Sequence, residues 1–191
     1  ILLSIIFFYG CVNTESNTIN EENNSDNKTE LNNIAKGKQI AMQAGGILGK
    51  NLLKAIHTAG TEGAIDFCSE KAMHITDSIS TDLNVKIKRV SDKNRNPLNA
   101  ANDIELGYME KVRESIAKGE KPSPQVIEED NKILGYFPIM TNTMCLQCHG
   151  QKDIDISQNV LLKIDSLYPD DNAINYKENE LRGVWVIEMM K

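Results

Sequence analysis

Cys145-Leu146-Gln147-Cys148-His149 is the stretch whose residue types and spacing can do chemistry. Two thiols three residues apart with an imidazole next to the second form Cys-x-x-Cys-His, the attachment signature of c-type haem. The spacing has a mechanical reason. Thiols so separated reach both vinyl groups on one edge of a porphyrin, and the adjacent His lies under the ring to ligate iron. A zinc site would want four ligands, usually from a second Cys or His pair. The chain has no second Cys-x-x-Cys, and only Cys68, His57 and His74 remain to complete such a set. A thioredoxin-type redox pair belongs after a strand, at a helix start inside a βαβ unit. A structural disulfide leaves His149 without a role. The motif therefore predicts one covalently attached haem c, with Cys145 and Cys148 holding the cofactor and His149 as a metal ligand.

The residues alone leave the second axial ligand open. Cys68, His57, His74 and seven Met residues are candidates. Most of the Met residues read as core filler. His57 and His74 fall near helix ends or polar faces, and a Cys on an apolar stripe is commonly a small core residue. Cys68 ranks only modestly ahead.

Several elements must position these groups. From Ile34 to His57 the pattern is helical, with Ile34, Ala41, Leu48 and Leu52 near helical spacing. Gly45, Gly46 and Gly49 predict a kink or a close contact there. Gly60 and Thr61 mark a break and a new N-cap. Over 62–80, Ile65, Cys68, Ala72, Ile75 and Ile79 fall on one buried stripe. Residues 83–90 alternate as a half-buried strand with Leu83, Val85 and Ile87 inward. A polar loop with Arg95-Asn96-Pro97 follows, then an amphipathic helix over 103–118 (Ile104, Tyr108, Val112, Ile116) closed by Gly119. Val126-Ile127 and Ile133–Met140 predict a hairpin around Glu129-Asp130-Asn131. Residues 156–167 predict a further helix, and Gly183–Met189 a closing strand. Helices first, then strands mixed with helices, give the class α+β.

The 191 residues, 40% hydrophobic and 25% charged, suit one domain, and the net charge of −6 argues against a nucleic-acid binder. Most of that charge is local. Residues 12–33 hold five acids and one Lys, a net of −4, and eight of these 22 residues are Asn. Such a segment reads as a disordered tether with a span of roughly 25 Å. Before it, residues 1–10 are apolar and end at Cys11. This resembles a bacterial lipoprotein signal, truncated at its start, in which Cys11 is lipidated. Tyr9 is a poor match where small residues are usual; a plain secretory signal or an uncleaved anchor is the alternative. The expected division is signal 1–10, tether 11–33 and a single domain 34–191, lipid-anchored in the cell envelope.

The segments Ala64-Ile-Asp-Phe-Cys68-Ser, Arg95-Asn-Pro-Leu-Asn99, Tyr136-Phe-Pro-Ile, Cys145-Leu-Gln-Cys-His-Gly150 and Tyr168-Pro-Asp-Asp…Tyr176…Leu181-Arg-Gly-Val occur in that order. In them, and in Gly183, the chain resembles a group of bacterial c-type haem proteins with a PAS-like fold and no assigned function. The resemblance covers roughly 38–190. It implies a central antiparallel sheet with flanking helices and makes Cys68 the distal iron ligand, so that the axial pair is Cys68 and His149. It also sets Arg95, Asn96 and Tyr136 beside the cofactor. Arg95 would pair with a haem propionate as a bidentate donor, or else cap the following helix. Asn96, Pro97 and Asn99 would fix the turn of that loop. Some members carry this domain ahead of kinase or receptor modules, which this sequence is expected to lack.

Three functions follow as expectations. One is a mono-haem electron carrier of the cell envelope, with a low potential set by Cys/His ligation and an envelope protein as redox partner. Another is a redox or gas (CO/NO) sensor in which Cys68 is displaced. The third is a small haem peroxidase, disfavoured because both faces of the iron are occupied; the chain is expected not to be an enzyme. The 34–57 helix is a candidate homodimer contact.

Overall fold

In the computed structural model the backbone is described from Ser16 and the side chains from Asn27, both through Lys191. Residues 1–10 and Cys11, read as signal and lipidation site, lie outside the described residues. The chain forms two compact units, Ile1–Asn32 and Asn33–Lys191. Helix α1 is Ser16–Glu70. Residues 16–32, which composition predicts to be coil, are therefore helical. No Gly or Pro interrupts the sequence between Ser16 and Lys36, so nothing in that stretch terminates a helix. No described helix is long and apolar enough to cross a membrane.

The expected break falls at Ala59 and Gly60, whose φ values are −135° and 70°. The second lies in the left-handed region that Gly adopts without a steric cost. No kink falls at Gly45, Gly46 or Gly49, and of the three only Gly45 makes the predicted contact. Gly45 faces the Trp185 indole, with 3.7 Å from its Cβ position to the nearest ring atom, and the other two face open space. After Lys71 comes α2, Ala72–Asp82, so the 62–80 stripe is carried on two helical pieces. Ile65, Ala72 and Ile79 on it are buried as expected.

The domain is α+β. Strands β1 (Lys86–Val90), β2 (Gln125–Glu129), β3 (Lys132–Met140) and β4 (Leu181–Met190) form one antiparallel sheet in the order β1-β4-β3-β2. The β2–β3 turn is the predicted one, with Asp130 at φ 44°. The centre of β4 is covered on both faces. Trp185, Ile187 and Met189 join Ile87, Ile133 and Phe137 under Ala41 and Ala44 of α1 and Ile79 of α2. Val184 and Val186 join Val90 and Tyr136 under Tyr108, Met109 and Val112 of α3, Asp103–Ala117.

Helix α3 starts on a capping box. Asn102 Oδ1 accepts from the Glu105 amide, and Glu105 Oε2 accepts from the Asn102 amide, both at 2.9 Å. Glu105, 2% exposed, also pairs with Lys88 of β1 at 2.6 Å. It takes the inward place that periodicity gives to Ile104, which is 56% exposed. The remaining helices are α4 (Thr143–His149) and α5 (Gln158–Leu167).

Candidate functional site

The Cys-x-x-Cys-His motif is helix α4. Asn142 begins it, its side chain accepting from the Cys145 amide at 3.3 Å. The segment between α5 and β4 holds both ends of α4. At the start, the Thr141 amide donates to the Glu180 carbonyl at 2.9 Å and the Asn179 amide to the Thr141 carbonyl at 3.0 Å. At the finish, the amides of Tyr176 and Asn175 donate to the carbonyls of His149 and Gly150, at 2.9 and 2.8 Å. Asn175 and Asn179 both have φ 62°, a conformation Asn tolerates better than other side chains.

His149 Nδ1 lies 2.7 Å from the carbonyl oxygen of Ala173. A carbonyl only accepts, so Nδ1 carries the proton and the lone pair is on Nε2. Loss of water around the ring lowers its pKa well below the usual imidazole value, reinforced by Arg182 and Arg95, and the Ala173 bond only partly offsets this. The ring is neutral, with one nitrogen engaged and the other available as a ligand. Tyr176 meets it edge-on at 6.4 Å between centroids.

Cys68, Cys145 and Cys148 are free thiols in this structure. Among the described residues no cluster of three or more His, Cys, Asp and Glu side chains is arranged to hold a metal ion, which leaves the zinc alternative without a ligand set. Burial pushes the Cys148 thiol up to about 11, and Cys68 is near enough to add to that rise. Cys68 is itself raised by burial, against the pull of Arg89, Arg95 and Arg182. The same three guanidinium groups act on His149, so Cys68 and His149 share one electrostatic surrounding. Packing agrees. Ile65, one turn before Cys68, is buried against Ile156, Val160, Leu161 and Ile164, and Cys148 packs on that cluster. Just past its break at Ala59–Gly60, α1 also touches α4 through Thr61 Oγ1, which donates to Gln147 Oε1 at 3.2 Å. Of the other ligand candidates, His57, His74, Met42 and Met190 are exposed, Met109 and Met189 are core, and Met73, Met140 and Met144 are half-buried, Met144 within α4 itself.

Arg95 does reach the motif, but its fork is engaged by protein. Its Nε and Nη2 donate to the two oxygens of Asp171 at 3.1 and 2.9 Å, and Nη2 donates to the Cys148 carbonyl at 2.7 Å. The carboxylate that its Nε and Nη2 grip in this structure is Asp171. Asn96 caps the short helix Pro97–Asn99, its Oδ1 accepting from the Leu98 amide at 2.9 Å. Its role in the structure is the turn. Tyr136, expected beside the cofactor, is buried on the α3 face of the sheet with its ring 5.4 Å from that of Tyr108. Parity along β3 sends it there.

Four functional neighbours of the motif escape a reading by spacing: Arg89, Asp171, Tyr176 and Arg182. The last three stand within the quoted segments that carry the resemblance, which gives them a place but no role. Arg89 has only its position in the alternation of β1 to mark it. Its guanidinium lies 5.5 Å from the Trp185 ring centroid, and that of Arg182 lies 5.4 Å from Tyr176. Neither has a carboxylate partner among the described residues.

A family model described as Tll0287-like matches residues 12–189. No curated protein matches the chain. The solved structure of the cyanobacterial haem protein Tll0287 is similar, with a TM-score of 0.52 and 18% identity over 63% of this chain and 70% of that one. The likeness is one of fold. The family match runs through every segment that builds the site, from Cys68 to Arg182, and the chain belongs to the Tll0287-like family.

Proposed function

We propose that this protein is a mono-haem c-type cytochrome that carries electrons in the cell envelope. The observation that carries the reading is His149, a neutral imidazole fixed through Nδ1 with Nε2 free, one residue after two free thiols. This donor set fits haem c. Cys145 and Cys148 would form the thioethers, and His149 and Cys68 would be the axial ligands. Haem iron so held supplies a one-electron couple whose potential depends on its ligands. Burial keeps Cys68 a thiol, against the pull of Arg89, Arg95 and Arg182, until a metal cation claims it. As a thiolate it favours the oxidised state. Arg89 has no carboxylate partner among the described residues and would be the first candidate for a haem propionate; Arg182, also without one, already donates through Nη1 to Ser91 Oγ and the Lys93 carbonyl.

A sensor reading has one observation in its favour. Cys68 rides on a short helical segment bounded by the break at Ala59–Gly60 and the end of α1 at Glu70, so its displacement would move a discrete piece of chain.

The test is chemical and spectroscopic. Colour and haem staining should stay with the polypeptide on a denaturing gel and survive acidic organic extraction. Cys68→Met should raise the midpoint potential by about 59 mV or more, a tenfold shift in the one-electron equilibrium. Cys68→Ala should accelerate CO binding to the ferrous protein. Extractable colour removes the thioether reading. A Cys68→Ala protein with parental spectrum, potential and CO rate makes Cys68 a core residue.

A further inference from the structure

Arg95 is 9% exposed, and its contacts converge on the backbone that holds the motif. Besides its two bonds to Asp171 and one to the Cys148 carbonyl, Nη2 makes a longer bond to the carbonyl of Ala173, at 3.3 Å. Asp171 Oδ1 accepts from the Ala173 amide at 2.9 Å. The Ala173 carbonyl is the acceptor of His149 Nδ1–H. One ion pair therefore grips Ala173 at both its N–H and its C=O and fastens it to Cys148, the residue before His149. We propose that Arg95 and Asp171 are positioning residues for His149, holding the Ala173 carbonyl on Nδ1 and so fixing the tautomer, the orientation and the donor strength of the ring. The proposal rests on the haem-binding reading above.

The geometry calls for such a clamp. Ala173 lies outside any helix or strand, 24 residues after His149 in the chain. Its segment has no ladder of its own to fix where that carbonyl points. Asp171 and Arg95 supply the missing constraint: both side chains are less than a tenth exposed, and the carboxylate is engaged on both oxygens. A firm acceptor on Nδ1–H makes the imidazole a stronger donor through its other nitrogen, and outer partners of this kind commonly change metal-site properties by 10–100-fold. A stronger donor favours the oxidised metal, so loosening the clamp must raise the potential.

Charge alone has to be separated from positioning. Arg95→Lys keeps the charge but loses the planar fork. The double variant Arg95→Met/Asp171→Leu removes both charges together and leaves no unpaired ion inside the protein. Each is compared with the parent holoprotein for covalent haem content, midpoint potential and the hydrogen-exchange rate of the His149 Nδ1–H proton by NMR. Haem content should be unchanged. In either variant the equilibrium should move toward the reduced form by about tenfold, ~59 mV, with Nδ1–H exchange faster by an order of magnitude or more. Parental potential and exchange in a folded, haem-loaded variant overturn the proposal and leave the pair a purely structural bond. A parent without covalent haem fails the cytochrome reading instead, which the haem content reports separately.

Discussion

At His149 folding and ionisation are opposed. The folded site holds the ring neutral because its pKa lies well below the ordinary value, whereas in the unfolded chain the ring takes up a proton near pH 6.5. The unfolded state thus binds more protons as pH falls, and stability falls with it. The haem-free protein should be insensitive to this group above about pH 7.5. Below about pH 6.5 it should lose up to ~1.4 kcal/mol per pH unit until the folded ring protonates. Urea melts of the parent and of His149→Gln across pH 5–8 check this; the variant should lack that slope. At the same scale, Cys68 is singled out by the resemblance rather than by spacing, whereas the motif is legible in the sequence because its residues stand at fixed spacing within one seven-residue helix. Arg95 is not, since its partner Asp171 is 76 residues away and only the folded chain brings them together. Tyr136 looked like a cofactor contact because it stands in a segment shared with haem proteins, and only strand parity shows that it faces α3.

Periodicity located nearly every helix and strand. It missed residues 16–32 and helix α4 altogether, and elsewhere it failed where one residue outweighs a pattern: at the break after Glu70 that divides the 62–80 helix, and at Glu105, which takes an inward place in α3 ahead of Ile104. Gly183 is an element-scale requirement of another kind. A Cβ there would stand 2.5 Å from the Val90 carbonyl oxygen, which is backbone and has no rotamer to escape to. Gly183→Ala should therefore push β1 from β4 beside the pairing of Val90 with Val184 and of Ser91 Oγ with the Arg182 carbonyl. A cost of about 1–3 kcal/mol is expected from forced overpacking, read as a lower denaturant midpoint. Faster amide exchange should be confined to 86–91 and 182–186.

For the whole molecule, the proposed address depends on Cys11. A single acyl chain holds a protein only marginally to a membrane, and two or more anchor it. We infer that Cys11→Ser would move the protein from the membrane to the soluble envelope fraction, with its spectrum unchanged because the domain is built from residues after Asn32. A Cys11→Ser protein that still sediments with membranes shows that something else retains it. The order of the sheet adds a matter of timing. β4 lies between β1 and β3, yet it is the last of the four strands along the chain. A chain emerging N-terminus first presents β1 with no neighbour, and the β2–β3 hairpin stands apart until residues 181–190 arrive. The motif at 145–149 emerges before that strand does. There is accordingly an interval in which Cys145 and Cys148 have emerged and the sheet cannot yet close. On the cytochrome reading, the apparatus that attaches haem to those thiols would meet an unfolded substrate until β4 arrives, bringing Arg182 with it.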